Sequence, residues 1–340
     1  MRISHIVSGA VMVALVASTA FAATEDRPFT GTSAQLPPEL RPFVRVSLGG
    51  ISGYGGASQA VQDVLALERR TTSVDQAIAV KRSGLMAAST LDDFLALCSY
   101  AFSNPSDNYR SAVSHFIAQN ASGRITPVDD LSKLLALEAR TTTVDDAMAT
   151  KRAALAVVHD LPRFEVLSRN AFSNPSSNYE AARSQFITAN LLASCPPESD
   201  PSIVLTIEAR TTTVDHAMAV KSIGMQAVHD VSQFEVLTRN AFSSPSSNYE
   251  ASRSRFIATR IAASLSPVSD ISVILQIEAR TTTVDDAIAV KTAALVAVHT
   301  RDDLTHLARS AFSSPSAQYL QRVGEFVAHA AGNIAGAPHP

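Results

Sequence analysis

The sequence predicts an all-α fold: a repeat array of four 70-residue units, each made of two helical hairpins, stacked as an α-solenoid. Three observations predict it. One phrase stands four times, as ERRTTSVDQAIAVK at 68–81, EARTTTVDDAMATK at 138–151, EARTTTVDHAMAVK at 208–221 and EARTTTVDDAIAVK at 278–291, always at the same spacing and without insertion or deletion. Between the phrases the apolar residues keep helical spacing, and no alternating strand pattern appears. Each apolar run is bounded by cap and turn residues. The units run over 57–126, 127–196, 197–266 and 267–336, with a tail at 337–340.

Residues 1–22 carry the marks of a secretory signal: Arg2, a short apolar run from Ile6 to Thr19, and the small residues of Ala20-Phe21-Ala22 before the expected cleavage. The apolar run falls short of the roughly 20 residues that span a bilayer, so no membrane span is expected after signal removal. The mature chain is expected to be exported, periplasmic or extracellular. Residues 23–56, with LPPELRPF and GGISGYGGAS, read as a Pro/Gly-rich leader and tether.

Within a unit, start signals mark four helices. Thr126-Pro127 and Ser266-Pro267 predict a cap before a first-turn proline, followed by Val128, Leu131, Leu134 and Leu135 on one face. The second helix is predicted to open at Thr143, with Asp145 and Asp146 at the positive end of its dipole. Asp160 or Asp230 caps the third, carrying Leu161, Phe164, Leu167 and Ala171. Asn174-Pro175 or Ser244-Pro245 opens the fourth, with Tyr179, Ala182 and Phe186 on one face. Hairpins of about 35 residues are the size of known solenoid units. The signatures of the named solenoid families are missing, since the chain has no Trp and no T-P-L-H-x-A.

The repeated phrase places charges on apolar faces. Lys151 shares a stripe with Met148, Leu155 and Val158, and Glu138 shares one with Leu131, Leu134 and Leu135. Such charges require partners, because an unpaired buried ion costs several kcal/mol or more. Helical side chains lean toward their own N-terminus, which brings these two tips together across an antiparallel hairpin. Four structural ion pairs are therefore predicted: Glu68–Lys81, Glu138–Lys151, Glu208–Lys221 and Glu278–Lys291. Arg140 and its copies, near a helix C-terminus, are expected to pair with Asp145 and its copies across the same turn. The competing reading, a ligand groove lined by these charges, is weaker because acids and bases cancel in each unit.

Composition narrows the function. After loss of Arg2 the mature chain carries 27 basic and 31 acidic residues, which offers no field to attract phosphates and predicts no nucleic-acid partner. His159, His229 and His299 recur near the end of the second helix, but copies two hairpins apart stand on the order of 20 Å from one another, too far to share a metal. Their expected role is to stabilise the helix dipole. His216 shows no evident partner. Cys98 is expected to pack as a small buried residue, and Cys195 lies at a unit junction. No nucleophile with its base, no isolated carboxylate pair and no phosphate loop stands out, so neither catalytic residues nor a cofactor or metal site is assigned. Three functions remain, in order: a non-catalytic scaffold for an unknown protein or peptide partner, a structural component of the cell envelope or extracellular matrix, and an exported hydrolase.

Overall fold

The computed structural model describes residues 56–335, with side chains through residue 332. The expected signal at 1–22, nearly all of the expected leader at 23–56 and the expected tail at 337–340 lie outside the described residues. Among the described residues there are sixteen α-helices and no strand. The first eight are α1 (Gln59–Glu68), α2 (Val74–Gly84), α3 (Leu91–Leu97), α4 (Asp107–Asn120), α5 (Leu131–Glu138), α6 (Val144–Ala154), α7 (Leu161–Leu167) and α8 (Ser177–Asn190). The rest are α9 (Pro201–Glu208), α10 (Val214–Gly224), α11 (Val231–Leu237), α12 (Ser247–Arg260), α13 (Ile271–Glu278), α14 (Val284–Ala293), α15 (Arg301–Leu307) and α16 (Ala317–Ala335). None is long and apolar enough to cross a membrane.

Caps set these boundaries. Thr143, Thr213 and Thr283 each accept the backbone N–H three residues on, opening α6, α10 and α14 where the sequence predicts. Asp160 and Asp230 do the same for α7 and α11. Two predicted starts are displaced. The first helix of each hairpin pair opens not at Thr126 or Ser266 but at Asp130, Asp200 and Asp270, which accept the N–H of Ser132, Ser202 and Ser272. Thr126 instead closes a local turn, its N–H donating to Asp129 Oδ2 at 2.5 Å. Val128 and Val268 consequently stand 91% and 92% exposed, off the apolar face the sequence assigns them. The fourth helix likewise opens after the proline, capped by Ser176 and Ser246.

The helices pack in two layers. Consecutive odd-numbered helices touch one another from α1 to α15, consecutive even-numbered helices do so from α2 to α16, and hairpin contacts such as α1–α2, α5–α6, α9–α10 and α13–α14 join the layers. Apolar side chains from both layers fill the space between. Phe164 and Phe186, both buried, lie with ring centroids 6.2 Å apart, and Phe234 and Phe256 repeat the contact at 6.1 Å. Burying one such ring contributes about 1.5–3 kcal/mol. Cys98 and Cys195 are free thiols, both buried, and burial pushes the Cys98 thiol up to about 12, so it acts as a small apolar residue.

At the N-terminal end, Asp93 on α3 ties down the start of α1. Its Oδ1 accepts the N–H of Ser58 at 2.7 Å, and its Oδ2 accepts the N–H of Ser89 at 3.1 Å. Burial alone would raise this carboxyl, but the donated hydrogen bonds outweigh it and hold Asp93 at about 2, below its ordinary value of 3.8. A depressed carboxyl contributes stability above its unfolded value, and that contribution is lost as pH falls toward 2. Thermal melts at pH 7, 4 and 2 are expected to show the native chain losing more stability across the acid window than Asp93→Asn, which starts lower at pH 7. Parallel pH slopes for the two proteins would refute this role.

Candidate functional site

The four predicted ion pairs are brought together, each deep in the core. Lys81 Nζ stands 2.9 Å from Glu68 Oε2, Lys151 2.8 Å from Glu138, Lys221 2.8 Å from Glu208 and Lys291 2.9 Å from Glu278. All eight side chains are at most 1% exposed. The ammonium has two further acceptors. Lys151 Nζ donates to the carbonyl of Leu167 at 2.7 Å and to that of Arg169 at 2.9 Å, both at the C-terminal end of α7. Lys81 reaches Leu97 and Ser99, Lys221 reaches Leu237 and Arg239, and Lys291 reaches Leu307 and Arg309. An ammonium has three donors, and here all three are used.

The glutamate is held by a fourth helix. Tyr179 on α8 donates its hydroxyl to Glu138 Oε1 at 2.6 Å, and Tyr109, Tyr249 and Tyr319 repeat this toward Glu68, Glu208 and Glu278 at 2.5–2.7 Å. The Tyr109 hydroxyl in turn accepts the N–H of Ala101. Phe172 packs edge-on to the Tyr179 ring at 4.8 Å, with Phe102, Phe242 and Phe312 doing the same for the other tyrosines. The Oε2 oxygens, fully buried, face the ammonium alone. Burial pushes each glutamate up and each lysine down, and the opposite charge with its hydrogen bonds works against both shifts. Burial, then the adjacent carboxylate, also raises the Tyr179 phenol. The tyrosine was visible in the sequence only as a residue on an apolar face. Its recurrence as Tyr109, Tyr179, Tyr249 and Tyr319, each at the same offset from its glutamate, is the signal that could have found it.

The Arg140 side chain and the Thr142 N–H face the preceding segment, while Thr141 and Thr143 bond within their own turn. The predicted pairing of Arg140 with Asp145 does not form. Arg140 Nη1 donates to the carbonyl of Leu95 on α3 at 2.5 Å. Arg210 bonds the Glu165 carboxylate and carbonyl and the Ser168 hydroxyl, and Arg280 bonds Glu235 and Thr238 in the same way. The physical reason is that Asp145, Asp215 and Asp285 point into water from the first turn of the next helix, whereas a preceding helix end offers buried acceptors. Burial would raise Glu165, but Arg210 and Arg169 hold it below the ordinary range.

A second link runs between the even-numbered helices. Buried Ser114 on α4 accepts the N–H of Thr142 at 2.9 Å and donates to Asp146 Oδ2 at 2.6 Å, and Ser254 does both toward Thr282 and Asp286. His216 takes the aspartate's place: Ser184 Oγ lies 2.7 Å from its Nδ1, the partner that sequence reasoning did not find. His159, His229 and His299 do not act on a helix end. Each lies beyond its helix, with Nε2 2.7–3.3 Å from the carbonyl of Pro127, Pro197 or Pro267, fastening one inter-helix turn to another.

Outside this buried framework, a cleft of about 140 Å³ opens between the α9–α10 and α11–α12 turns, lined among others by Thr212, Thr213, Phe242, Ser244 and Pro245. No protein-family model, curated protein or solved structure matches the chain.

The buried pair generates a stability prediction. Breaking a buried pair costs roughly 3–5 kcal/mol, while replacing both partners with apolar groups is often near neutral. Lys151→Met is expected to lower the melting temperature sharply, and Glu138→Leu with Lys151→Met to recover much of the loss. The melting-temperature double-mutant cycle is the measurement, and a coupling near zero would refute the pair's structural role.

Proposed function

We propose that the chain is an exported helical-repeat protein, four 70-residue units stacked as an α-solenoid, that serves as a non-catalytic scaffold for a protein or peptide partner. The export part rests on the signal-like residues 1–22. Support for the stack comes from the inter-segment hydrogen bonds, which recur at equivalent positions through Arg140, Arg210 and Arg280. A stack of this kind gains stability from neighbours. Excised 127–196 is therefore expected to be largely unfolded and 127–266 to recover helix, as measured by circular dichroism. A fully helical, cooperatively melting single segment would argue for independent domains.

The observation that carries the binding reading is a strip of exposed side chains, identical between copies, that the framework does not use. Thr142, Thr212 and Thr282 are exposed, and their hydroxyls make no hydrogen bond among the described residues, although each has a bonded backbone N–H. Ser103, Ser173, Ser243 and Ser313 are also exposed and unbonded. The fold requires only the caps nearby, Thr143 and Ser176, which are bonded. Repeated stacks present extended surfaces of this kind to partners. The cleft beside Thr212, at about 140 Å³, is well below the roughly 300–1,000 Å³ that encloses a small-molecule ligand. It suits one side chain of an extended polypeptide.

Peptides selected from a displayed library on the mature chain test this reading. The triple change Thr142→Lys, Thr212→Lys and Thr282→Lys is expected to weaken selected peptides at least tenfold. The melting temperature should move little, because exposed substitutions usually stay within about 0.5 kcal/mol. Peptides indifferent to the triple change, or a selection that yields none, would remove the scaffold and leave the structural-component reading.

A further inference from the structure

Two arginines stand where the fold gives no reason for a charge. Arg183 on α8 and Arg253 on α12 are each 8% exposed, and neither forms an ion pair among the described residues. A guanidinium carries five N–H donors. Arg183 uses one, from Nη2 to the carbonyl of Arg210 at 3.4 Å, and Arg253 uses one, from Nη1 to the carbonyl of Thr238 at 3.4 Å. The Nε of each is buried without an acceptor.

Neighbouring carboxylates are already committed. Glu138 is held by Tyr179 and Lys151, and Glu165 by Arg210 and Arg169. Around Arg253, Glu208 is held by Tyr249 and Lys221, and Glu235 by Arg280 and Arg239. Glu180 and Glu250, three residues before each arginine, are only half-buried and form no ion pair with it. Burial chiefly pulls Arg183 below its ordinary range, with Arg210 adding to this and Tyr179, Glu180 and Glu138 working against it. Arg253 and Arg280 meet at Thr238, one on its carbonyl and one on its hydroxyl. A buried N–H donor left without an acceptor, as at each Nε, is unfavourable.

Comparison between copies shows that this position can be apolar. The equivalent positions in the first and last copies are Val113 and Val323, which fill the same place on α4 and α16 as buried apolar side chains. The fold therefore accepts valine there in those two copies, without the charge.

We propose that Arg183 with Arg210, and Arg253 with Arg280, form two anion sites, each taking one small oxyanion of the phosphate or carboxylate type. The planar guanidinium fork matches two oxygens of such an anion, and a low-dielectric setting strengthens the contact. The same chemistry could arrive as a free ion or as an acidic side chain of a partner. This proposal stands independently of the exposed strip, which lies on other residues.

The test is titration of the mature chain with inorganic phosphate at constant ionic strength, followed by calorimetry and thermal melts. Two phosphates per chain are expected, with a melting temperature that rises as phosphate is added. Arg183→Val or Arg253→Val should each leave one site and the double variant none, with helix content retained because valine already occupies the matching positions. Arg183→Lys and Arg253→Lys, which keep the charge and lose the fork, should weaken binding about tenfold or more, and this arm decides if a valine variant fails to fold. A parallel titration with a short Asp/Glu peptide identifies the source: binding of the peptide but not of phosphate, lost in the same variants, assigns the sites to a partner's carboxylates. Binding that is equal in native and variant chains, or absent for both probes, overturns the proposal.

Discussion

A charge pair taken wholly out of water governs this structure. Glu138 and Lys151 reach their buried position only because two more helices complete the set: α7 gives two carbonyls from its end, and α8 gives the Tyr179 hydroxyl. Each of four consecutive helices thus supplies one part of a single polar knot, and displacing any of them strands a buried ion. The four knots have nearly the same geometry, with ammonium-to-carboxylate distances of 2.8–2.9 Å. Apolar packing alone would tolerate sliding of one helix along another. The knot does not, since its acceptors are fixed points on the backbone.

That fixed geometry lets one short phrase act in two directions. Glu138 turns inward to its own hairpin, while Arg140, the Thr142 N–H and Asp146 turn to the preceding segment. If the inner contact were loose, the outer groups would miss their acceptors. The phrase is therefore a joint, and the functional surface in our proposal is what the joint leaves over: the exposed Thr and Ser side chains of the same turns. Their sameness from copy to copy is not required by any bond they make.

Sequence reasoning could see the ion pairs because lean and stripe are local properties of helices. It could see caps such as Thr143 and Asp160 for the same reason. What it missed depends on groups distant in sequence. The carbonyl of Leu95 attracts Arg140 only after α3 has ended beside α5, and nothing in the residue types announces a helix C-terminus as an acceptor. Proline misled the reading of the first helix. Thr126-Pro127 is a good cap in isolation, but Asp129 satisfies Thr126 in a tighter turn, and Asp130 is left to open the helix. The knot's tyrosine was hidden by being aromatic, since its ring packs as core while only the hydroxyl is chemical.

Differences at the two ends of the chain follow from the same joint. Ser114, Ser184 and Ser254 are fully buried and serve the following segment, yet the next position in the series is Gly324, which is exposed on α16. Glu165 and Glu235, which receive an arginine from the following segment, give way to Thr305, and Ser168 and Thr238 give way to Ala308. At the other end, the position in the serine series that precedes Thr72 is Val44. Gln76, standing where the other copies have Asp or His, accepts that N–H at 3.1 Å and the hydroxyl at 3.3 Å. Arg70, the first member of the arginine series, is exposed, and its side chain has no partner among the described residues. The Thr72 donors are satisfied locally, and at the other end the acceptor side chains are absent. The change is to side chains without those bonds at Thr305, Ala308 and Gly324, and to a local bond at Gln76.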